Sequence, residues 1–341
     1  MPLSQSISTL DDIRKLLAQL PGPDAAAAAK AGEREPQLTK PPGSLGRLED
    51  ISLWLCQWQA AYPPQMDRPH AYVFAGNHGV TARGVSAFPS EVTVQMVANF
   101  EHGGAAINQI CKTFGIELNV VALNLESPTE DFTVTPAMSE STCVEVFAQG
   151  MAVVTDTMDV LCLGEMGIGN TTSAAAICHA LYGGGAEDWT GPGTGVQGDA
   201  LTLKTQVVTD AVKHHLANIS DGLDVLCMLG GRELAAIAGA TLAARFKRVP
   251  VLLDGYVSSA AAAVLEATTP GALDHCLVGH ASTEPGHLRL LDKIGKQPVL
   301  NMNMRLGEAS GAALAVGILK AAAACHTGMA TFAEAGVSDK D

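Results

Sequence analysis

Glu308 is the only carboxylate in RLGEASGAALA (305–315), a stretch otherwise built, after its leading arginine, from small and apolar residues. A solvated helix carries more charge than this, and a plain core helix carries none. The acid precedes the apolar run AALAVGILKAAAAC (312–325), which reads as a buried helix. A helix N-terminus stabilises the ionised carboxylate, whereas an apolar surround favours the neutral acid. The local sequence does not set the balance between the two: Glu308 is a candidate functional acid, and an acid capping its own helix is the plain structural alternative. A second candidate loop, GEMGIGNTTSAAAI (164–177), follows an apolar run and carries Glu165, Gly169, Asn170, Thr171 and Thr172. Glycines allow close backbone approach, Asn170, Thr171 and Thr172 can cap the Ala-rich helix that follows, and such a helix start binds phosphate. The spacing matches neither a Walker A loop nor GxGxxG, and a tight, well-capped turn is the alternative. WTGPGTGVQGD (189–199) adds Gly193, Thr194 and Gly195 ahead of a helix bearing Lys204. Alone it reads as flexibility; with the first loop and a lysine it strengthens the case for an anion.

Two further loops carry histidines. In FAGNHGVTARGVSAFP (74–89), Asn77 and His78 project from a strand end. His78 can serve as acid or base near neutrality, although a histidine there more often shapes its loop. In GHASTEPGH (279–287), His280, Glu284 and His287 straddle a Pro-Gly turn instead of sharing a helical face, which favours a shaped loop over a metal site.

These loops need a scaffold. The runs 71–76, 118–123, 159–164, 224–229, 250–255 and 275–280 are apolar without alternation, as in strands buried on both faces of a parallel sheet. Helical patterns occupy 90–111, 171–182, 200–217, 232–246 and 256–267, and Leu48, Ile51, Trp54, Leu55 and Trp58 mark another helix over 45–59. The alternation predicts an α/β fold, a Rossmann-like doubly wound and mostly parallel sheet, with ligands beyond the carboxyl ends of its strands. The first 30 residues predict two short helices split by Pro21-Gly22-Pro23, and 326–341 reads as a frayed tail. At 341 residues and 47% hydrophobic content the chain can bury a large core, while aromatics are only 4%. Its formal charge of −14 argues against nucleic-acid and anionic-membrane partners. Eight cysteines without a C-x-x-C pair read as buried thiols in a reducing compartment, and MPLSQSISTLDDIRKLL lacks the features of a signal peptide. The expectation is a cytoplasmic protein without a membrane span.

The combination LTKPPGSLGRLE (38–49), GNHGVTARGVSAFP (76–89), GEMGIGNTTSAAA (164–176), VLLDG (251–255), STEPGH (282–287) and RLGEASGAALA resembles the nicotinate-nucleotide:dimethylbenzimidazole phosphoribosyltransferase family. The motifs run in the family's order along nearly the whole chain. The resemblance implies transfer of 5-phosphoribose from nicotinate mononucleotide to 5,6-dimethylbenzimidazole, with inversion at C1′, in cobalamin lower-loop assembly. It places the general base on Glu308 and a second pocket acid on Glu165. It puts phosphate and ribose on Gly169, Asn170, Thr171, Thr172, Gly193, Thr194, Gly195 and Lys204, and the base pocket near Asn77, His78, Leu306 and Met166. It implies a homodimer with no cofactor and no metal. It also implies a small helical domain built from both chain ends: a part at 1–65, the α/β domain at 66–300, and a catalytic loop and helix at 301–341. Ala309 and Asn77 depart from the glycine and aspartate of some relatives. The rival readings are a different acceptor base (adenine or a phenol), a non-catalytic nucleotide sensor, and an α/β dehydrogenase, the last weakened by the missing fingerprint.

Overall fold

The computed structural model describes residues 7–338. Helices α1 (Leu10–Leu17), α2 (Ala25–Arg34) and α3 (Arg47–Gln59) precede strand β1 (Pro69–Ala75). Then come α4 (Glu91–Glu101), α5 (Ala106–Phe114), β2 (Glu117–Ala122), α6 (Glu140–Ala152) and β3 (Val160–Met166). Four helices, α7 (Asn170–Tyr182), α8 (Asp199–His215), α9 (Gly222–Leu229) and α10 (Arg232–Lys247), lead to β4 (Val251–Leu253). The chain finishes with α11 (Tyr256–Thr268), β5 (Cys276–His280), α12 (Pro285–Lys293), β6 (Pro298–Leu300), α13 (Ser310–Gly328) and α14 (Phe332–Ala335).

Among the described residues the six strands are all parallel, in the order β2-β1-β3-β4-β5-β6. The order reverses between β1 and β3, and at such a switch point two neighbouring loops leave the sheet in opposite directions and open a crevice. Strand residues alternate between two cores, as the period of 2 requires. Leu161 and Leu163 of β3 join the core built with α6, α7, α9, α10 and α11. Val160 and Cys162 face the other way, into the core of α3, α5 and α13. Leu161 and Leu163 are fully buried, and truncating either to alanine costs about 2–5 kcal/mol at such sites.

Three expectations are corrected. Residues 224–229 form helix α9, not a strand, and β6 supplies the sixth strand. The helix expected over 90–111 breaks at Gly103-Gly104 into α4 and α5, with Gly103 in the left-handed region at φ +76°. The tail is not frayed over its described part. His326 is 3% exposed inside α13, Leu38 bridges Thr331, and α14 follows with a capping box from Thr331 and Glu334. Residues 339–341 lie outside the described part, as do 1–6. Helix α13 is the one helix among the described residues long and apolar enough to cross a membrane by length and composition; its apolar side packs on the sheet, α3 and α5.

The chain ends meet. Arg34 donates to the carbonyls of His326 and Met329 at 3.1 and 2.8 Å, and Thr39 donates its backbone N–H to Ala330. Buried Lys40 bridges Glu35 and Glu49 at 2.7 Å each, and His326 Nδ1 lies 2.6 Å from Glu35. The LTKPPGSLGRLE motif is thus a fastening: Glu49 also accepts the Leu45 N–H, and Arg47 donates to the carbonyls of Gln297 and Pro298 beside β6. Helix α1 belongs to the main body, where Arg14 pairs with Asp221 and Asp224. All eight cysteines are free thiols, seven of them buried.

Candidate active site

Beyond the carboxyl ends of β3, β4 and β5 lies a pocket of about 450 Å³. One wall is the loop after β3, with Glu165, Met166, Gly167, Ile168, Asn170 and Thr171; another is Gly193 and Thr194. The start of α11 (Gly255, Tyr256, Val257), the segment after β5 (His280, Ser282, Glu284) and the turn Arg305–Gly307 complete it, with Phe88 at its edge.

The side formed by α7 and the Gly193 loop suits an anion. Gly169, in the left-handed region at φ +94°, is the N-cap of α7, and no side chain caps the helix. The expected caps act elsewhere, since Asn170 Nδ2 donates to Glu165 Oε2. Lys204 reaches this helix start from α8 although its side chain is almost wholly buried. Its ammonium donates to Thr171 Oγ1 at 2.8 Å and to the Gly191 carbonyl at 2.9 Å. Burial lowers its pKa to about 8, with only the more distant charge of Glu284 opposing. A buried cation whose hydrogen-bond partners are neutral is stabilised by an incoming anion. Arg305 adds a second cation by donating to the Gly193 carbonyl at 3.2 Å. Glu284 fixes the loop by accepting the Gly193 N–H at 2.9 Å, and burial raises its own pKa.

The opposite side is acidic. Glu308 sits in the turn Gly307-Glu308-Ala309, where all three φ angles are positive at +84°, +61° and +61°. Its backbone N–H donates to the Glu165 carbonyl at 3.2 Å. It is 5% exposed, and its carboxylate does not cap α13. The N-cap is Ala309, and Asp254 Oδ1 accepts the N–H groups of Gly311 and Ala312 at 2.7 and 3.0 Å. Burial first, and the charge of Asp254 second, push Glu308 up to about 7. Glu165 is pushed up to about 8 by burial, then by Glu233 and Asp254, with Asn170 opposing. The small residues let α13 press onto the sheet. A Cβ on Gly164 would lie 2.0 Å from the Ala309 nitrogen, and one on Gly311 would lie 1.9 Å from His280 Nδ1.

Nine of the residues singled out in the sequence line the pocket: Glu165, Met166, Asn170, Thr171, Gly193, Thr194, His280, Glu284 and Leu306. Glu308 stands directly after lining residue Gly307, and Lys204 touches Thr171 from behind. Gly169, Thr172 and Gly195 support the walls without lining them. Asn77 and His78 are also set back: Asn77 donates to the Leu125 carbonyl, and His78 Nε2 lies 2.5 Å from Glu233 Oε1, both side chains of that pair being fully buried. His78 thus shapes its loop. His287 does the same, with Nδ1 accepting the Ser282 N–H at 2.8 Å and Nε2 lying 3.2 Å from Ser259 Oγ. Sequence reasoning assigned no role to Asp254, Glu233 or Arg305, although Asp254 and Arg305 stand inside the quoted motifs; nothing local marks Glu233 in its alanine helix.

The geometry agrees with the relatives this chain has. The family profile described as Phosphoribosyltransferase matches residues 20–337. The chain is 58% identical over 339 residues to the nicotinate-nucleotide–dimethylbenzimidazole phosphoribosyltransferase of Rhizobium meliloti (strain 1021), covering 99% of this chain and all of the relative. It is 59% identical over the same length to the enzyme of that name from Sinorhizobium fredii (strain NBRC 101917 / NGR234), again over 99% of this chain and all of the relative. A solved structure described as CobT from Thermus thermophilus superposes with a TM-score of 0.85 at 38% identity, covering 92% of this chain and all of that one. A match at this length and identity is decisive, and the chain belongs to the phosphoribosyltransferase family of which these enzymes are members.

Proposed function

We propose that this chain transfers the 5-phosphoribosyl group of nicotinate mononucleotide to 5,6-dimethylbenzimidazole, giving α-ribazole 5′-phosphate and nicotinate, a step of cobalamin lower-loop assembly. The observation that carries the reading is the division of one pocket into an anion-ready side and an acid side. The 5′-phosphate docks at the start of α7, against Thr171, the Gly193 loop, Lys204 and Arg305. This leaves C1′ toward Glu165 and Glu308. A benzimidazole ring nitrogen attacks C1′ from the face opposite nicotinate. The new N–C1′ bond forms as the old one breaks, and its electron pair remains on the nicotinate nitrogen. The developing positive charge on the ribosyl group is stabilised by the ionised Glu308 carboxylate. The other benzimidazole N–H becomes acidic, and the Glu308 carboxylate accepts that proton. A pKa raised to about 7 suits this task at neutral pH, and burial raises Glu165 as well, to about 8.

The same reading takes the protein to be a cytoplasmic homodimer with the pocket close to the subunit interface. Free thiols throughout support the reducing compartment. Phe88 and Leu306, 50% and 55% exposed on the pocket's rim, support a partner there. The test of activity is nicotinate release by the purified protein from nicotinate mononucleotide with dimethylbenzimidazole, adenine and a phenol in parallel. The reading predicts release fastest with dimethylbenzimidazole, and no release with any base overturns it. Sedimentation at micromolar concentration tests the dimer, which a monomeric mass refutes.

A further inference from the structure

We infer that Asp254, at the carboxyl end of β4, is the positioning residue that holds the Gly307-Glu308-Ala309 turn in its working shape. The inference deepens the reading of Glu308 as the base and rests on it. Asp254 is 1% exposed and anchored on both sides: its N–H donates to the Leu163 carbonyl of β3 at 3.1 Å, and its carbonyl accepts the His280 N–H of β5 at 3.4 Å. Its side chain reaches across to α13, where Oδ1 accepts two N–H groups, while Oδ2 has no hydrogen-bond partner among the described residues.

The turn needs such a support. Consecutive non-glycine residues in the left-handed region are unfavourable and persist only where surrounding structure holds them. Neither Glu308 nor Ala309 caps α13, so the helix start depends on Asp254 for a side-chain acceptor. That leaves the Glu308 carboxylate free to face substrate. The charged and titratable groups around Glu308 are Asp254 after β4 and Glu165 of β3, with His280 of β5 beside Asp254, Arg305 on the same pocket wall, and Glu233 of α10 with its partner His78 behind Glu165. Asp254 therefore has two separable actions. As an acceptor it caps α13, which asparagine can also do. As a charge it keeps Glu308 protonated to higher pH, which asparagine cannot.

The test uses the full chain as wild type, Asp254→Asn, Asp254→Ala and Glu308→Gln. Nicotinate release is measured against pH, and the Glu308 carboxyl is titrated by ¹³C NMR in glutamate-labelled protein, its signal assigned by loss in Glu308→Gln. Asp254→Ala lowers kcat by about 100-fold with the KM for nicotinate mononucleotide within a few-fold, the cost of a misplaced base. Asp254→Asn keeps at least about a tenth of kcat at high pH, and both its acid limb and the Glu308 titration move to lower pH. Native kcat in Asp254→Ala, or an unmoved Glu308 titration in Asp254→Asn, overturns the inference. If Asp254→Ala does not fold, the asparagine variant decides alone. A wild type that releases no nicotinate refutes the proposed reaction instead, and the Glu308 titration still decides the role of Asp254.

Discussion

Helices α7 and α13 both begin beside this pocket, and the protein treats their starts in opposite ways. Helix α7 has glycine at its N-cap and no capping side chain, and the buried ammonium of Lys204 stands beside it. Helix α13 likewise has no cap of its own, but a carboxylate from another strand end is brought in to satisfy its N–H groups. Both starts carry the same partial positive charge. At α7 that charge remains available to a ligand. At α13 it is already answered by Asp254, so the neighbouring Glu308 is neither drawn into capping nor held at a low pKa. The comparison teaches that a helix terminus offers a field, and that the neighbouring side chains decide whether a substrate or the protein uses it.

The comparison can be broken from either side. The largest effect is expected on the α13 side: Glu308→Gln lowers turnover by about 10²–10⁴-fold, the range of a lost general base. Equilibrium binding of nicotinate mononucleotide to that variant stays close to wild type, and near-native turnover would remove Glu308 from the chemistry. On the α7 side, Lys204→Ala weakens nicotinate mononucleotide binding by about 10–100-fold, the worth of a charge-assisted hydrogen bond. Calorimetry would read this, and unchanged affinity would mean the phosphate docks elsewhere. The acid side also predicts a pH profile. With Glu308 raised to about 7, kcat/KM falls about tenfold per unit as pH drops below that value, and Glu308→Gln removes the limb; a limb that survives belongs to another group. The smallest effect concerns stability. Glu165 titrates at about 8 in the folded protein against 4.5 when unperturbed, so the folded state holds the proton more tightly. Its contribution is complete below pH 4.5 and is lost as pH rises through about 8. Glu165→Gln should therefore raise the melting temperature relative to wild type more at pH 9 than at pH 5; the reverse order would contradict the buried, neutral acid.

How much of this was legible in the sequence is clearest in one tetrapeptide. Asp-Val-Leu-Cys occurs at 159–162 and again at 224–227, and both copies read as strands. The first is β3, preceded by an aspartate that accepts the N–H groups of Asp67 and Arg68 ahead of β1. The second is α9, because Asp221 three residues upstream caps it through Leu223 and Asp224, and Arg14 ties both acids to α1. A short apolar run buried on all sides carries no period to distinguish strand from helix, and the deciding contact came from 210 residues away. The first five strands were readable because apolar runs alternate with helices, whereas β6, only Pro298–Leu300, was too short to stand out. The pocket loops were readable where glycine and threonine precede a helix. Asp254 was not, since its partners Gly311 and Ala312 are 57 and 58 residues downstream. Glu233 was hidden for the same reason, because its meaning lies in His78, 155 residues away.

The fastening of the two chain ends has a consequence for synthesis. Residues 34–49 are made long before residues 326–331, which they bind. Until α13 is complete, the face of the sheet that it covers lacks part of its core, and contacts this distant in sequence form late. The α7 side of the pocket is drawn mostly from residues 164–204, but Glu284 and Arg305 complete it. A nascent chain therefore completes neither the place for the phosphate nor the base until the segment through Glu308 is made and α13 closes over the helices made before it.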